Sequence, residues 1–214
     1  MSLGSYVEHT LLRPDAMPAD VERHCEDAAR HALFAVCISP LFVASAKMWL
    51  RGTNVRLVTV AGFPHGTEVS EVKAEAARRS VEDGADEVDM VMPLGLARAA
   101  RWDAVERDVA VVRDAIPRAT LKVILETGYF DHDAILRAAH AAVSGGADFV
   151  KTSTGYGPRG ATLEDVTVLA RAVGDKAGVK AAGGIRTAAF ARLLIGAGAS
   201  RIGTSNGVAL VEEP

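Results

Sequence analysis

Four stretches of the chain put a charged residue where a buried strand would be apolar. In Glu87-Val88-Asp89-Met90-Val91-Met92, the residues Val88, Met90 and Met92 share one face, so Asp89 points to the other. The same alternation turns Lys122 and Glu126 away from Leu121, Val123 and Leu125. It turns Lys151 away from Val150, and Lys180 away from Val179 and Ala181. Three lysines and two carboxylates are therefore expected on one shared interior. Removing an ammonium from water costs several kcal/mol, so such a set is either a structural ion-pair network or a reactive site. A lysine of ordinary pKa, about 10.4, is neutral at pH 7 in roughly one molecule in two thousand. A neighbouring cation and partial burial both favour the neutral amine. That amine attacks a carbonyl and forms a Schiff base. The protonated imine then withdraws electrons, so an adjacent C–C bond can break or form while a carboxylate moves protons. The set reads as an imine-forming lyase built around Lys151, Lys180 and Asp89.

Two glycine-bearing segments suggest what the substrate carries. Gly183-Gly184-Ile185-Arg186 leads into a helix that Thr187 can cap, and Gly203-Thr204-Ser205-Asn206-Gly207 follows the last apolar run. Glycines let backbone N–H groups approach an anion, and a helix start adds positive potential. Together they imply a phosphorylated small molecule. Thr154-Gly155-Tyr156-Gly157 is expected to form a further wall.

Positioning these groups requires a repeating scaffold. Apolar runs at Glu8–Leu12, Phe34–Ile38, Val55–Ala61, Glu87–Met92, Leu121–Glu126, Asp148–Thr152, Val179–Ala182 and Arg201–Gly203 suit parallel strands covered on both faces. Helical stretches lie between them: Val69–Val81, Ala134–Val143 capped by Asp131, one capped by Thr162, and Ala188–Ile195. An open doubly wound sheet and a closed (βα)8 barrel both fit this alternation. Eight candidate strands favour the barrel, and no GxGxxG follows the first strand. In a barrel, the C-terminal strand ends that carry Asp89, Lys151 and Lys180 form the active rim.

Composition sets the limits. The chain has 214 residues, 49% of them hydrophobic, which suits one domain over residues 1–214. Its 24 Lys and Arg stand against 27 Asp and Glu, so it lacks the cationic excess that nucleic acid requires. Ala32–Leu50 approaches a membrane span in length, but Pro40 and Lys47 interrupt it, and it reads as a strand followed by an amphipathic helix. The N-terminus lacks a signal-peptide plan, and two cysteines make no disulfide framework, so a cytoplasmic location is expected. Cys37 reads as a small interior residue that lines the pocket. The six histidines show no metal-ligand spacing and are expected mostly on the surface. Arg98, Arg101 and Arg107 read as a solvated helix face.

These motifs resemble one known family. Glu8-His9-Thr10-Leu11-Leu12, Ala35-Val36-Cys37, Gly62-Phe63-Pro64-His65-Gly66, Gly84–Val91, Lys122–Thr127, Val150–Gly155, Val179–Arg186 and Arg201–Ser205 are similar, in order, to deoxyribose-phosphate aldolases. The resemblance runs from about Tyr6 to about Val211. It implies a class I aldolase on a TIM (βα)8 barrel that reversibly cleaves 2-deoxy-D-ribose 5-phosphate to D-glyceraldehyde 3-phosphate and acetaldehyde. It further implies that Lys151 forms the Schiff base, that Lys180 perturbs it and aids proton transfer, and that Asp89 is the acid/base. Glu8, Lys122, Gly183, Gly184, Arg186, Gly203 and Ser205 would contact substrate, beside Cys37, Thr154 and Gly155 in the pocket. No cofactor or metal is implied, and a homodimer or higher homo-oligomer is. Two positions depart from the family: Asp is usual where Glu8 stands, and a small residue is common where Asn206 stands. Activity with altered substrate affinity is the expectation. A Schiff-base aldolase for another phosphosugar and a catalytically idle phosphosugar-binding protein are the competing readings.

Overall fold

The computed structural model describes residues 2–213. In chain order the elements are β1 (Val7–Leu11), α1 (Pro18–Arg30), β2 (Ala35–Ile38), α2 (Val43–Trp49), β3 (Arg56–Ala61) and α3 (Ser70–Glu82). Then follow β4 (Glu87–Val91), α4 (Leu94–Arg98), α5 (Trp102–Ala115), β5 (Thr120–Ile124), α6 (His132–Ser144), β6 (Phe149–Lys151) and α7 (Leu163–Val173). The last are β7 (Gly178–Ala182), α8 (Ala188–Gly196), β8 (Arg201–Thr204) and α9 (Gly207–Glu212). Each strand pairs in parallel with the next, and β8 returns to β1 with Val7 opposite Ile202 and His9 opposite Thr204. The result is a TIM (βα)8 barrel.

Alternation explains the closure. Val88, Met90, Leu121, Val123, Val150, Ala181 and Ile202 face outward and are fully buried against Val105, Val109, Ile135, Leu169 and Leu194 of the surrounding helices. Burying each large apolar side chain contributes about 1.5–3 kcal/mol, and that term holds helices to sheet. The helix starts form as their sequence signals require. Asp131 accepts from the N–H of Ala134, Thr162 from Asp165, and Thr187 from Phe190. The apolar run at Ala32–Leu50 divides into β2, a 3-10 turn at Pro40–Phe42, and α2. No described helix is long and apolar enough to cross a membrane.

Two expectations change. β5 stops at Ile124, because Glu126 adopts a left-handed conformation with φ 51° and takes its side chain out of the strand alternation. Arg98, Arg101 and Arg107 do not share one helix. Ala100, at φ 55°, breaks the segment, leaving Arg98 on α4 and Arg107 on α5, all three exposed.

The barrel interior is chemically divided. Ala35, Cys37, Val58 and Val60 on β2 and β3 form a small apolar cluster with Leu12, Phe34 and Phe63. Glu8, Glu87, Asp89, Lys122, Lys151 and Lys180 form a charged cluster in the remainder, each at most 3% exposed.

Candidate active site

Parallel register brings the charged residues together. Asp89 lies beside Lys122 across β4 and β5, and Lys151 beside Lys180 across β6 and β7. Lys151 Nζ donates to Asp89 Oδ2 at 2.8 Å, and Lys180 Nζ donates to the same oxygen at 2.6 Å. Lys122 Nζ donates to Asp89 Oδ1 at 2.9 Å and lies 2.6 Å from Glu87 Oε2. Lys180 also donates to Glu8 Oε2, which is 3.6 Å from Lys122. The cluster thus holds three ammonium groups and three carboxylates. Burial pushes the Asp89 carboxyl up, but Lys122, Lys151 and Lys180 outweigh it and hold the group well below the usual carboxylate range. Burial works against the Lys180 ammonium too, yet Asp89 and Glu8 prevail and raise its pKa. Lys122 is raised for the same reason. The neighbouring cation expected beside Lys151 is present, but the Asp89 carboxylate lies between the two amines. A Cβ at Gly203 would lie 3.0 Å from Lys180 Cε and 3.0 Å from Ala182 Cβ, so the glycine makes room for the lysine stem.

Lys151, 3% exposed, is where this cluster meets a cleft of about 330 Å³. Thr154, Gly155, Gly183, Gly184, Arg186, Gly203 and Ser205 line that cleft, so the structure gathers these anticipated residues around one amine. Gly183 and Gly184 adopt φ 90° and φ 74°, which glycine accommodates without strain. Glu8, Cys37 and Lys122 are fully buried and outside the cleft lining. Glu8 in particular pairs with Lys180 and Lys122 rather than facing the opening. Burial pushes the Cys37 thiol up to about 11, which makes it a poor nucleophile. Asn206 is exposed at the start of α9, its N–H donating to Thr204 Oγ1. The first N–H of α8 is already taken: Ala188 donates to Glu213 Oε2 at 2.7 Å.

One further correction and two additions concern charged or polar residues. Glu126 does not join the lysines; it accepts from the N–H and hydroxyl of Thr154 and so fixes the loop after β6. His65, His132 and His140 are exposed and His31 half-buried, in keeping with a mostly surface placement, while His9 and His24 are the buried exceptions, stacked with ring centroids 3.6 Å apart. Lys73 on α3, which the sequence reading passed over, is fully buried and bonds Asp108 Oδ2 at 2.9 Å and the Val91 carbonyl at 3.0 Å. Glu87 was detectable, since it shares the strand face of Asp89. Thr10, Leu12, Arg13 and Tyr156 also line the cleft. Thr10 belongs to β1 and Leu12 follows it directly, Tyr156 sits in the glycine segment already expected as a wall, and Arg13 is the one that no sequence pattern marks.

A parallel barrel that gathers buried lysines on one aspartate, and opens one of them to a glycine-walled cleft, has the architecture of the lysine-bearing barrel aldolases. Comparison makes the assignment specific. Residues 6–211 match the family model described as DeoC/LacD family aldolase, and the chain belongs to that family. The deoxyribose-phosphate aldolase of Deinococcus radiodurans is 54% identical over 99% of this chain and 96% of its own length. A deoxyribose-phosphate aldolase of Thermus thermophilus is 53% identical over the same shares. Among solved structures, the deoxyribose phosphate aldolase from Aeropyrum pernix, which has a unique tetrameric structure, superposes with a TM-score of 0.91 at 36% identity, covering 98% of this chain and 89% of its own.

Proposed function

We propose that this enzyme reversibly cleaves 2-deoxy-D-ribose 5-phosphate to D-glyceraldehyde 3-phosphate and acetaldehyde through an imine on Lys151. The observation that carries the reading is one oxygen, Asp89 Oδ2, shared by Lys151 and Lys180 beside the glycine-walled cleft. The names of the relatives at 53–54% identity support the substrate. The phosphate would bind the Gly183–Arg186 and Gly203–Ser205 loops, beside the short extra helix that follows the last strand. Lys151 Nζ attacks the open-chain aldehyde at C1, and water leaves to give the protonated imine. The C3 hydroxyl loses its proton, the C2–C3 bond breaks, and its electron pair forms the enamine as glyceraldehyde 3-phosphate departs. Protonation at C2 and hydrolysis release acetaldehyde and the amine. Asp89 and Lys180 relay these protons.

Acetaldehyde with borohydride tests the chemistry. A stable ethyl adduct mapped to Lys151 is expected, with loss of adduct and turnover in Lys151→Ala. No adduct removes every imine-based reading. An adduct without turnover of deoxyribose 5-phosphate points to another phosphosugar. In this reading the enzyme self-associates, and it works in the cytoplasm, where the unpaired thiols of Cys25 and Cys37 stay reduced.

A further inference from the structure

Leu12 and Tyr156 line two spaces at once. One is the Lys151 cleft; the other is a hollow of about 510 Å³ over β2 and β3. Apart from these shared residues, carbon dominates the hollow's inner wall, through Pro40, Val60, Phe63 and Pro64. Val60 is the barrel neighbour of Asp89 in the register of β3 and β4, so the wall descends toward the lysine cluster. The Tyr156 ring stands edge-on to Phe63, centroids 5.6 Å apart at 87°, and its hydroxyl donates to the Leu12 carbonyl at 3.0 Å. That ring is the partition between the two spaces. The mouth of the barrel is thus glycine-walled toward β7 and β8 and richer in apolar side chains toward β2 and β3, where Ser39, His65 and Glu68 also line the hollow.

We propose that the hollow walled by Leu12, Pro40, Val60, Phe63 and Pro64 is a second subsite of the Lys151 cleft, which takes the alkyl chain of an unphosphorylated aldehyde bound as the imine. The inference rests on the imine reading above. The bond formed is Lys151 Nζ to the aldehyde carbon, with water leaving; borohydride then delivers hydride to the imine carbon and fixes the adduct. Hexanal carries four more methylenes than acetaldehyde. Each methylene fully buried is about a fourfold gain in affinity, so even partial burial of the chain exceeds tenfold.

The test titrates acetaldehyde and hexanal separately with borohydride and quantifies the adduct at Lys151 by peptide mass. Adducts on exposed lysines calibrate the intrinsic reactivity of each aldehyde. Half-trapping by hexanal is expected at a concentration at least tenfold below that of acetaldehyde. Ser39→Trp and Ala76→Phe fill the hollow from two sides, and each is expected to erase the preference while acetaldehyde trapping is unchanged. Tyr156→Ala removes the partition and is expected to enlarge the preference. An acetaldehyde adduct without a hexanal preference in the unmodified enzyme overturns the subsite and leaves the imine reading intact. So does a preference that survives both filling substitutions. Absence of both adducts overturns the imine reading, and the subsite with it. The ratio in the unmodified enzyme decides the matter even where a variant fails to fold.

Discussion

Replacing Lys180 by Met probes the charge balance of the barrel interior. Lys180 Nζ sits 2.6 Å from Asp89 Oδ2 and also bonds Glu8. At that separation, with an effective dielectric of 20, the attraction of two unit charges is about 6 kcal/mol. Desolvation offsets much of it. Methionine keeps the volume but removes the charge, which leaves three carboxylates facing two ammonium groups. Glu8 then retains Lys122 at 3.6 Å as its partner in the cluster, with Arg201 Nε at 3.9 Å. Breaking a buried pair from one side costs about 3–5 kcal/mol. Adding Glu8→Gln restores two charges against two. The double variant is therefore expected to recover at least about 1.5 kcal/mol over the single one, within the usual range for directly coupled pairs. Urea unfolding at fixed protein concentration reads this out: with a slope of about 2.5 kcal/mol per molar, the single substitution lowers the midpoint by roughly 1.2–2 M. Both variants are expected to lose turnover. A single variant that costs under about 1 kcal/mol, or a double variant no more stable than the single one, refutes the balanced-cluster account.

Three other outcomes follow from the same geometry. Gly203→Ala pushes a methyl toward Lys180 Cε and Ala182 Cβ, each 3.0 Å away; at least a tenfold loss of kcat is expected, with a stability cost of about 1–3 kcal/mol from overpacking. Lys73→Met leaves Asp108 buried without its ammonium, and urea unfolding should show a loss of about 3–5 kcal/mol, partly recovered when Asp108→Asn is added. Burial and the charge of His24 lower His9 to about 3, and burial lowers His24 to about 4. Both are neutral in the fold, while the unfolded chain protonates near pH 6.5. Their contribution is complete above that pH and lost as pH falls toward about 4, at about 1.4 kcal/mol per pH unit for each ring. Unfolding midpoints at pH 7 and pH 5 measure the slope, and His24→Leu should halve it.

How much of this was legible depended on periodicity. Lys151 and Lys180 could be read because each interrupts an apolar strand at a position whose neighbours, Val150 and Val179, fix the opposite face. Parallel register then makes convergence nearly automatic. Glu126 broke the rule because the strand had already ended, and a left-handed residue resets which way side chains point. Tyr156 and Leu12 meet across 144 residues through a hydroxyl and a carbonyl, a pairing that no local pattern encodes. Lys73 escaped because a lysine on a helix is normally solvated, and only the packing of α3 against β4 and α5 turns it inward.

The balanced interior also changes how the proposed chemistry works. Crowding two amines would favour losing a proton from one of them. Here the carboxylates of Glu8, Glu87 and Asp89 equal the ammonium groups in number. Among the lysines and carboxylates taken alone, charge balances when the nitrogen at position 151 is positive, while Arg56, 3.7 Å from Glu87, and Arg201, 3.9 Å from Glu8, add cations at the edge of the cluster. The resting ammonium satisfies that condition, and so does the protonated imine; the free amine between them does not. Fixed carboxylates that are already oriented need no reorganisation when the cation returns in covalent form. The arrangement therefore acts on the imine, the species from which the C–C bond breaks, more than on the nucleophile that precedes it. Asp89→Asn separates the two effects: it takes one negative charge from the shared oxygen while nearly preserving its shape. If the carboxylates serve the imine, the trapped adduct at Lys151 should fall at least tenfold at saturating acetaldehyde. An undiminished adduct level would return the explanation to crowding alone.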